Sequence, residues 1–437
     1  MSGVRAHNEE LKRMGLTLPG FIERNKKIAS LPSLGLLTLA GMTTREIEVD
    51  YIEVEDINNQ DGLPGSFDVV AISSFSAQIK EAYELADRYR RAGTKVILGG
   101  LHVTACPDEA QQHADCVVVG EGEPVWPQLI ADLQRGQMQP RYDARGKPFD
   151  LSQAPMPRFD LLDPERYNRI TVQTSRGCPF DCEFCAASIR LSPQYRVKPV
   201  HKVIEEIREI KKHWAKPFIE FADDNSFVNK RHAKELLREL AKEKIRWFTE
   251  SDLSIARDEE LLRLMRDSGC AQVLIGFESP TRSGLKGIER KNDWKAKHYD
   301  EYMSAIERIQ SHGISVNGCF VMGMDGSGIE SFAEVRDFVK QSGLHEVQVT
   351  VLTAFPSTPL YQRLKATDRL VDDQAWELCT LFDVNFVPDT MSLQQLEENF
   401  RWLISELYSD EATQQRKANF FRQLRGARRG VAHRASA

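Results

Sequence analysis

Between Ile47 and about Arg135, short apolar runs alternate with amphipathic stretches. EVDYIEVED, FDVVAISSFS, KVILGG and CVVVGEG are brief and rich in valine and isoleucine, the pattern of parallel strands buried on both faces. AQIKEAYELADRYRRAG, between two of them, repeats apolar residues three and four apart and stops at Gly93, as an amphipathic helix does. Alternation of this kind predicts a doubly wound, Rossmann-like parallel sheet over residues 1–135, with its ligand at the carboxyl ends of the strands. Residues 136–164 hold Pro140, Pro148, Pro155, Pro157 and Pro164 with little periodicity, which reads as a linker.

Residues 165–364 repeat one unit six times. RITVQT, FIEFADD, IRWFTES, QVLIGFES, ISVNGCFVMG and EVQVTVLTAF read as strands, and a helical stretch follows each of the first five. A shorter helix starts near Thr358 after the sixth. Six units are two short of a closed barrel, so an open partial (βα)6 barrel is expected, with chemistry at the carboxyl ends of its strands. Residues 365–437 read as mostly helical. Ser392 and Gln395 form a capping box opening LQQLEENFRWLISELY, and the basic RGARRGVAHRASA reads as a solvated, unstructured tail.

Composition narrows the function. A net charge of -6 gives no electrostatic footprint for nucleic acid. No window approaches the roughly 18 uninterrupted apolar residues of a membrane span, and MSGVRAHNEELKRMG lacks the apolar core of a secretory signal. A cytoplasmic protein without a membrane span is the expectation. Eight cysteines in 437 residues are too sparse for a disulfide framework. Five of them, Cys106, Cys116, Cys270, Cys319 and Cys379, read as buried reduced thiols.

The other three stand together in SRGCPFDCEFCAAS, at Cys178, Cys182 and Cys185. A structural zinc site closes with four ligands, and no fourth Cys or His follows nearby; the next histidine is His201. Thiolates also select iron-sulfur clusters, and three thiolates on a four-iron cluster leave one iron open to a chelating substrate.

CPFDCEFC, with Phe184 as its aromatic position, resembles the CxxxCxΦC signature of the radical S-adenosylmethionine enzymes. The resemblance implies a [4Fe-4S] cluster on Cys178, Cys182 and Cys185 whose open iron is chelated by S-adenosylmethionine. An electron, from a donor such as flavodoxin or ferredoxin, would then release a 5′-deoxyadenosyl radical. It also implies cofactor contacts at Phe184, at Asp223 and Asp224 in FADDN, at Glu250 and Ser251 in FTESD, and at Glu278 and Ser279 in IGFESP. LTAFPSTPL resembles the turn that walls the adenosine. Taken by themselves, these acidic residues are equally read as helix N-caps or solvated strand ends.

SLPSLGLLTLAGM, ISSFS, GGLHVT and VVVGEGEPVW resemble the cobalamin-binding domain that precedes the radical domain in one branch of that family. The resemblance implies cobalamin contacts at Ser73, Ser74, Phe75, Gly99, Gly100, His102, Gly120, Glu121 and Glu123. Small residues at these strand ends let backbone approach a bulky ligand closely. Two features depart from the pattern. No DxHxxG stretch supplies an axial histidine, and ordinary loop packing is the other reading of His102. The charged HNEELKRMGLTLPGFIERNKKIA occupies the place of an apolar first strand.

The function implied is methyl transfer from methylcobalamin to an unactivated carbon of a small molecule: a lipid, a tetrapyrrole or a secondary-metabolite precursor. Oxidative cyclisation or rearrangement in the same branch is the alternative. A corrinoid-dependent interaction module with a structural cluster is the alternative of another class. A methylthiotransferase acting on transfer RNA would need three cysteines in the front domain, where only Cys106 and Cys116 occur. Catalytic residues acting on the substrate are not legible.

Overall fold

The computed structural model describes residues 6, 10–11, 31–187 and 194–435. Its front sheet holds β1 (Val69–Ser73), β2 (Lys95–Gly99), β3 (Cys116–Val119) and β4 (Arg141–Asp143), all parallel and in that order. The helix Ile79–Arg91 crosses from β1 to β2 and buries one stripe, Ile79, Ala82, Tyr83, Leu85, Ala86 and Tyr89. Such a face drives the helix onto the sheet far more than helix propensity does. The proline-rich stretch read as a linker also supplies β4.

EVDYIEVED is not a strand. Val54 is buried, but the segment has no ladder partner among the described residues. A groove of about 680 Å³ separates Val49, Ile52 and Val54 from β1, and Leu36 and Leu39 of the helix Leu34–Met42 line it as well. The apolar residues foretold burial; a strand also needs a neighbour's N–H and C=O groups. No strand lies between the two segments among the described residues, so β1 forms the sheet edge.

The second sheet holds β5 (Ile170–Val172), β8 (Phe218–Phe221), β9 (Arg246–Ser251), β10 (Cys270–Glu278), β11 (Ser315–Met322) and β12 (Glu346–Val351). They are all parallel and adjacent in chain order. Helices between the strands, such as Lys230–Glu243 and Glu259–Asp267, each bury an apolar stripe. One strand face is closed by Ile219, Phe221, Trp247, Val273, Phe277, Val316 and Phe320. The alternate positions, Glu220, Glu250, Gln272, Asn317, Cys319 and Gln348, stay partly open to solvent. The period of two along each strand thus separates a packed face from a polar interior. Cys116, Cys270 and Cys379 are buried as expected, whereas Cys106 and Cys319 are partly exposed; Cys319 lies on the polar face, which the apolar neighbours in its sequence concealed.

Two helices follow, Leu393–Tyr408 and Asp410–Ala435. The Ser392–Gln395 capping box forms in both directions, at 3.1 and 2.9 Å. The Tyr408 hydroxyl ties the first helix to β12, donating to the Val347 carbonyl at 3.0 Å. Helical backbone continues to Ala435, so the basic end is not the unstructured tail its composition suggested. No helix among the described residues is long and apolar enough to cross a membrane.

Candidate functional site

The cysteine loop leaves the carboxyl end of β5. Its stem is a two-stranded hairpin of β6 (Ser175–Arg176) and β7 (Arg196–Val197), and Gly177 turns out of it at φ 88°, where a side chain would be strained. Cys178, Cys182 and Cys185 follow as reduced, partly exposed thiols. Neighbouring segments hold the loop. The Glu183 N–H donates to Ile288 at 3.1 Å, the Leu360 N–H to the Glu183 carbonyl at 3.1 Å, and Arg363 pairs with the Glu183 carboxylate at 2.7 Å.

Burial pushes the Cys178 thiol up to about 11 and the Cys182 thiol up to about 12, the latter partly opposed by Lys295. At neutral pH both remain protonated until a cation displaces the proton, as metal-binding thiols do. Three soft donors on one short loop fit an iron-sulfur cluster with an open iron.

FADDN, immediately after β8, braces this loop. Asp223, 4% exposed, takes four donors. Its Oδ1 accepts from the Thr174 N–H at 2.7 Å and the Ser175 N–H at 3.0 Å. Its Oδ2 accepts from the Ser226 hydroxyl at 2.9 Å and from the Thr174 hydroxyl. Burial pushes its carboxyl upward while these donors hold it down. Asp224 accepts from the Gly177 N–H at 2.8 Å, one residue before the first cysteine.

The ends of β9 and β10 stand beside FADDN. Glu250 is exposed there, yet the surrounding protein and then Glu220, Asp224, Asp223 and Glu278 push its carboxyl up to about 8. The Ser251 hydroxyl reaches Asn225 at 3.4 Å. Glu278 takes a left-handed backbone at φ 64°, an uncommon conformation for such a residue, and pairs with Lys295. The Lys295 amine also donates to the Gly276 carbonyl at 2.9 Å; against its burial, Glu278 and then Cys182 hold it above its usual range. A Cβ on Gly276 would collide with the Glu278 carboxylate. Ser279 is spent locally, accepting from the Thr281 N–H at 3.2 Å. Phe184 packs against the core from the cysteine loop. Cys178, Asp224, Glu250 and Glu278 thus share one electrostatic environment.

The front sheet turns its own carboxyl end toward this loop. Ser73 ends β1, Ser74 follows, and the Phe75 ring beyond them is 62% exposed. Gly99 ends β2, and Gly100 follows at φ 103° with the Ser73 hydroxyl 2.8 Å from where its Cβ would stand. Gly120 turns at φ 88° beneath Ala144 and Arg145. His102 lies in the interior, 1% exposed. Its Nδ1 is 3.0 Å from the Ser76 hydroxyl and its Nε2 is 3.4 Å from Glu109. Glu109 is further held by the Tyr83 hydroxyl and the Trp376 indole. His102, Cys106 and Glu109 converge closely, but both Glu109 oxygens are already engaged. Glu121 and Glu123 pair with Arg176 at 3.3 and 2.8 Å, and Glu121 also pairs with Arg196.

Sequence reasoning missed Arg176, Arg196 and Lys295. Arg176 precedes the cysteine motif directly and could have been suspected; Lys295 lies in KNDWKAKH, where nothing marks it off from the other lysines.

Comparison with known proteins bears on both halves. A model of the radical SAM superfamily matches residues 172–339, one of the B12 binding domain matches 29–130, and a domain of unknown function (DUF4070) matches 358–436. Bacteriochlorophyllide d C-12(1)-methyltransferase of Chlorobaculum tepidum is 30% identical over 396 residues, 89% of this chain and 84% of that protein. Bacteriochlorophyllide d C-8(2)-methyltransferase of the same organism is 28% identical, over 81% of this chain and 80% of that protein. The fold also matches the cobalamin-dependent S-adenosylmethionine radical enzyme OxsB with aqua-cobalamin and S-adenosylmethionine bound. That match has a TM-score of 0.62 at 16% identity, over 78% of this chain and 59% of that one. A thiol loop one ligand short of closure is set on a six-stranded parallel sheet behind a front sheet with bare strand ends, and the similarity extends over most of the chain: the chain belongs to the radical S-adenosylmethionine enzymes that carry a B12-binding domain.

Proposed function

We propose that this protein catalyses cobalamin-dependent methylation of an unactivated carbon in a small molecule. The observation that carries the reading is the direct bonding of the front sheet's Gly120–Glu123 edge to the stem of the cysteine loop through Arg176 and Arg196. A methyl donor and a radical source must address the same carbon, and effective catalysis needs both held in one geometry. The two bacteriochlorophyllide methyltransferases, similar over most of their length, support the same reaction and favour a tetrapyrrole among the substrate classes.

Cys178, Cys182 and Cys185 would hold the cluster, and Ser73–Phe75, Gly99–Gly100 and Gly120 would face the corrin. When bound, the cluster supplies the electron that cleaves S-adenosylmethionine, and cobalamin carries the methyl group. The chain's own residues set the stage. Asp223 and Asp224 fix the entry to the cysteine loop. Lys295 neutralises Glu278 where the backbone is strained. Glu250, protonated at neutral pH, offers a hydrogen-bond donor to the cavity, and the exposed Phe75 ring offers an apolar face to a flat macrocycle. A small electron-transfer protein of the flavodoxin or ferredoxin kind would supply the electron.

Anaerobic protein supplied with iron, sulfide and corrinoid tests this directly. The expected result is cluster and corrinoid absorbance, reductive formation of 5′-deoxyadenosine, and a tetrapyrrole product heavier by one methylene. Absence of S-adenosylmethionine cleavage would overturn the radical reading, and a product without added carbon would move the protein to cyclisation or rearrangement. Full function after serine replacement of all three cysteines would reduce the cluster to a structural element.

A further inference from the structure

The base of the cysteine loop is built from two arginines facing each other. Arg176 in β6 stands opposite Arg196 in β7 in antiparallel register, with side chains only 15% and 17% exposed. Like charges directly opposite in an antiparallel pair repel, and more strongly as water is removed. Within the hairpin, the Arg176 guanidinium finds the neutral Gln173, at 2.9 Å.

The balancing charges come from the front domain. Glu121 Oε2 lies 3.3 Å from Arg176 Nη1, the same carboxylate pairs with Arg196, and Glu123 Oε1 lies 2.8 Å from Arg176 Nη2. The Phe149 N–H fixes Glu121 at 2.7 Å, and the Phe149 carbonyl accepts from Arg196. Glu121 and Glu123 are 6% and 8% exposed, so the network is largely desolvated. Glu121 follows Gly120 directly and Glu123 stands two residues further on, just past the carboxyl end of β3.

We infer that Glu121 and Glu123 are positioning residues for the cysteine loop: a carboxylate latch through which docking of the B12-type domain closes the base of the segment bearing Cys178, Cys182 and Cys185. The inference rests on reading that segment as cluster-binding, although the latch itself needs no metal. Its carboxylates are committed to arginine, which removes them from direct contact with a corrin. The front domain thereby sets the frame in which the thiols meet iron.

Hydrogen exchange on the full chain, metal-free and reconstituted, tests the latch, together with electron paramagnetic resonance of the reduced cluster with and without S-adenosylmethionine. Glu121→Gln keeps the shape and removes the charge. Exchange at the described loop amides, residues 177–187, should rise on the order of 10- to 100-fold while β9 to β11 are unchanged, and the resonance of the reduced cluster should shift. If Glu121→Gln does not fold, Glu123→Gln serves, because Arg176 keeps Glu121; its effect should be smaller. Joint exchange of Glu123→Arg and Arg176→Glu should restore protection. Unchanged loop exchange in both single variants, or a rise spread evenly over the six-stranded sheet, overturns the latch. A loop loosened in the metal-free variant supports it even if the wild-type chain cleaves no S-adenosylmethionine, so the two readings fail separately.

Discussion

Replacing Asp223 separates a strut from a ligand. In the structure its Oδ1 serves the two backbone N–H groups of Thr174 and Ser175, and its Oδ2 serves the hydroxyls of Thr174 and Ser226. Asparagine keeps the first oxygen, and its amide can donate to hydroxyls that rotate to accept, so Asp223→Asn loses mainly the charge assistance, about 1 kcal/mol. Alanine orphans two buried N–H groups as well, at about 1–3 kcal/mol each, for a total near 4 kcal/mol. In a unit of about 200 residues that corresponds to a fall in thermal midpoint of roughly 8–16 °C for alanine and roughly 2–4 °C for asparagine. The assay is a melt of the metal-free chain followed by tryptophan fluorescence, to which Trp247, packed against Phe221 and Phe227, contributes. Equal losses in the two variants, or an alanine loss of less than about 1 kcal/mol, would refute the strut. An unchanged melt with a large rise in KM for S-adenosylmethionine would make Asp223 a ligand instead.

Other outcomes follow from the same geometry. Gly276→Ala should break the Glu278–Lys295 pair, since the new methyl meets the carboxylate and comes within 2.9 Å of the Lys295 amine; loss of S-adenosylmethionine affinity with retained iron is the readout. Glu250 in the folded chain keeps a proton up to about 8 that the unfolded chain releases near 4.5. The folded state therefore binds more protons in that window, and the group's stabilising contribution, full below it, is lost as pH rises to about 8. Glu250→Gln should flatten this decline in melts between pH 6 and 9, and parallel slopes would contradict the assignment. Because the thiols of Cys178 and Cys182 are held at about 11 and about 12, iron uptake should quicken with pH over the same range. Serine at any one of Cys178, Cys182 or Cys185 should lower bound iron and abolish 5′-deoxyadenosine formation.

Much of this protein was legible in one dimension. Six short strand-like runs, the first five each followed by a helical stretch and the sixth by a shorter helix, determined six parallel strands in chain order, because side chains alternate with period two along a strand and recur every three to four residues along a helix. The Ser392–Gln395 box and the three closely spaced thiols were equally local, since both the motif and its chemistry lie within a few residues. Pairing was not local. EVDYIEVED has the composition of a strand but pairs with no strand among the described residues, and Arg141–Asp143, inside a proline-rich stretch, became a strand because β3 offered a free edge.

The tertiary structure alone decided which charges meet. Glu121 and Glu123, expected as ligand contacts, meet Arg176 and Arg196, more than fifty residues on. Asp223, expected as a cofactor contact, meets four donors. His102 went to the interior beside Glu109, and Lys295 came to Glu278 from a loop with nothing to mark it. A sequence records which residues can ionise or donate; only the folded chain fixes the distances and burial that make one of those pairings win.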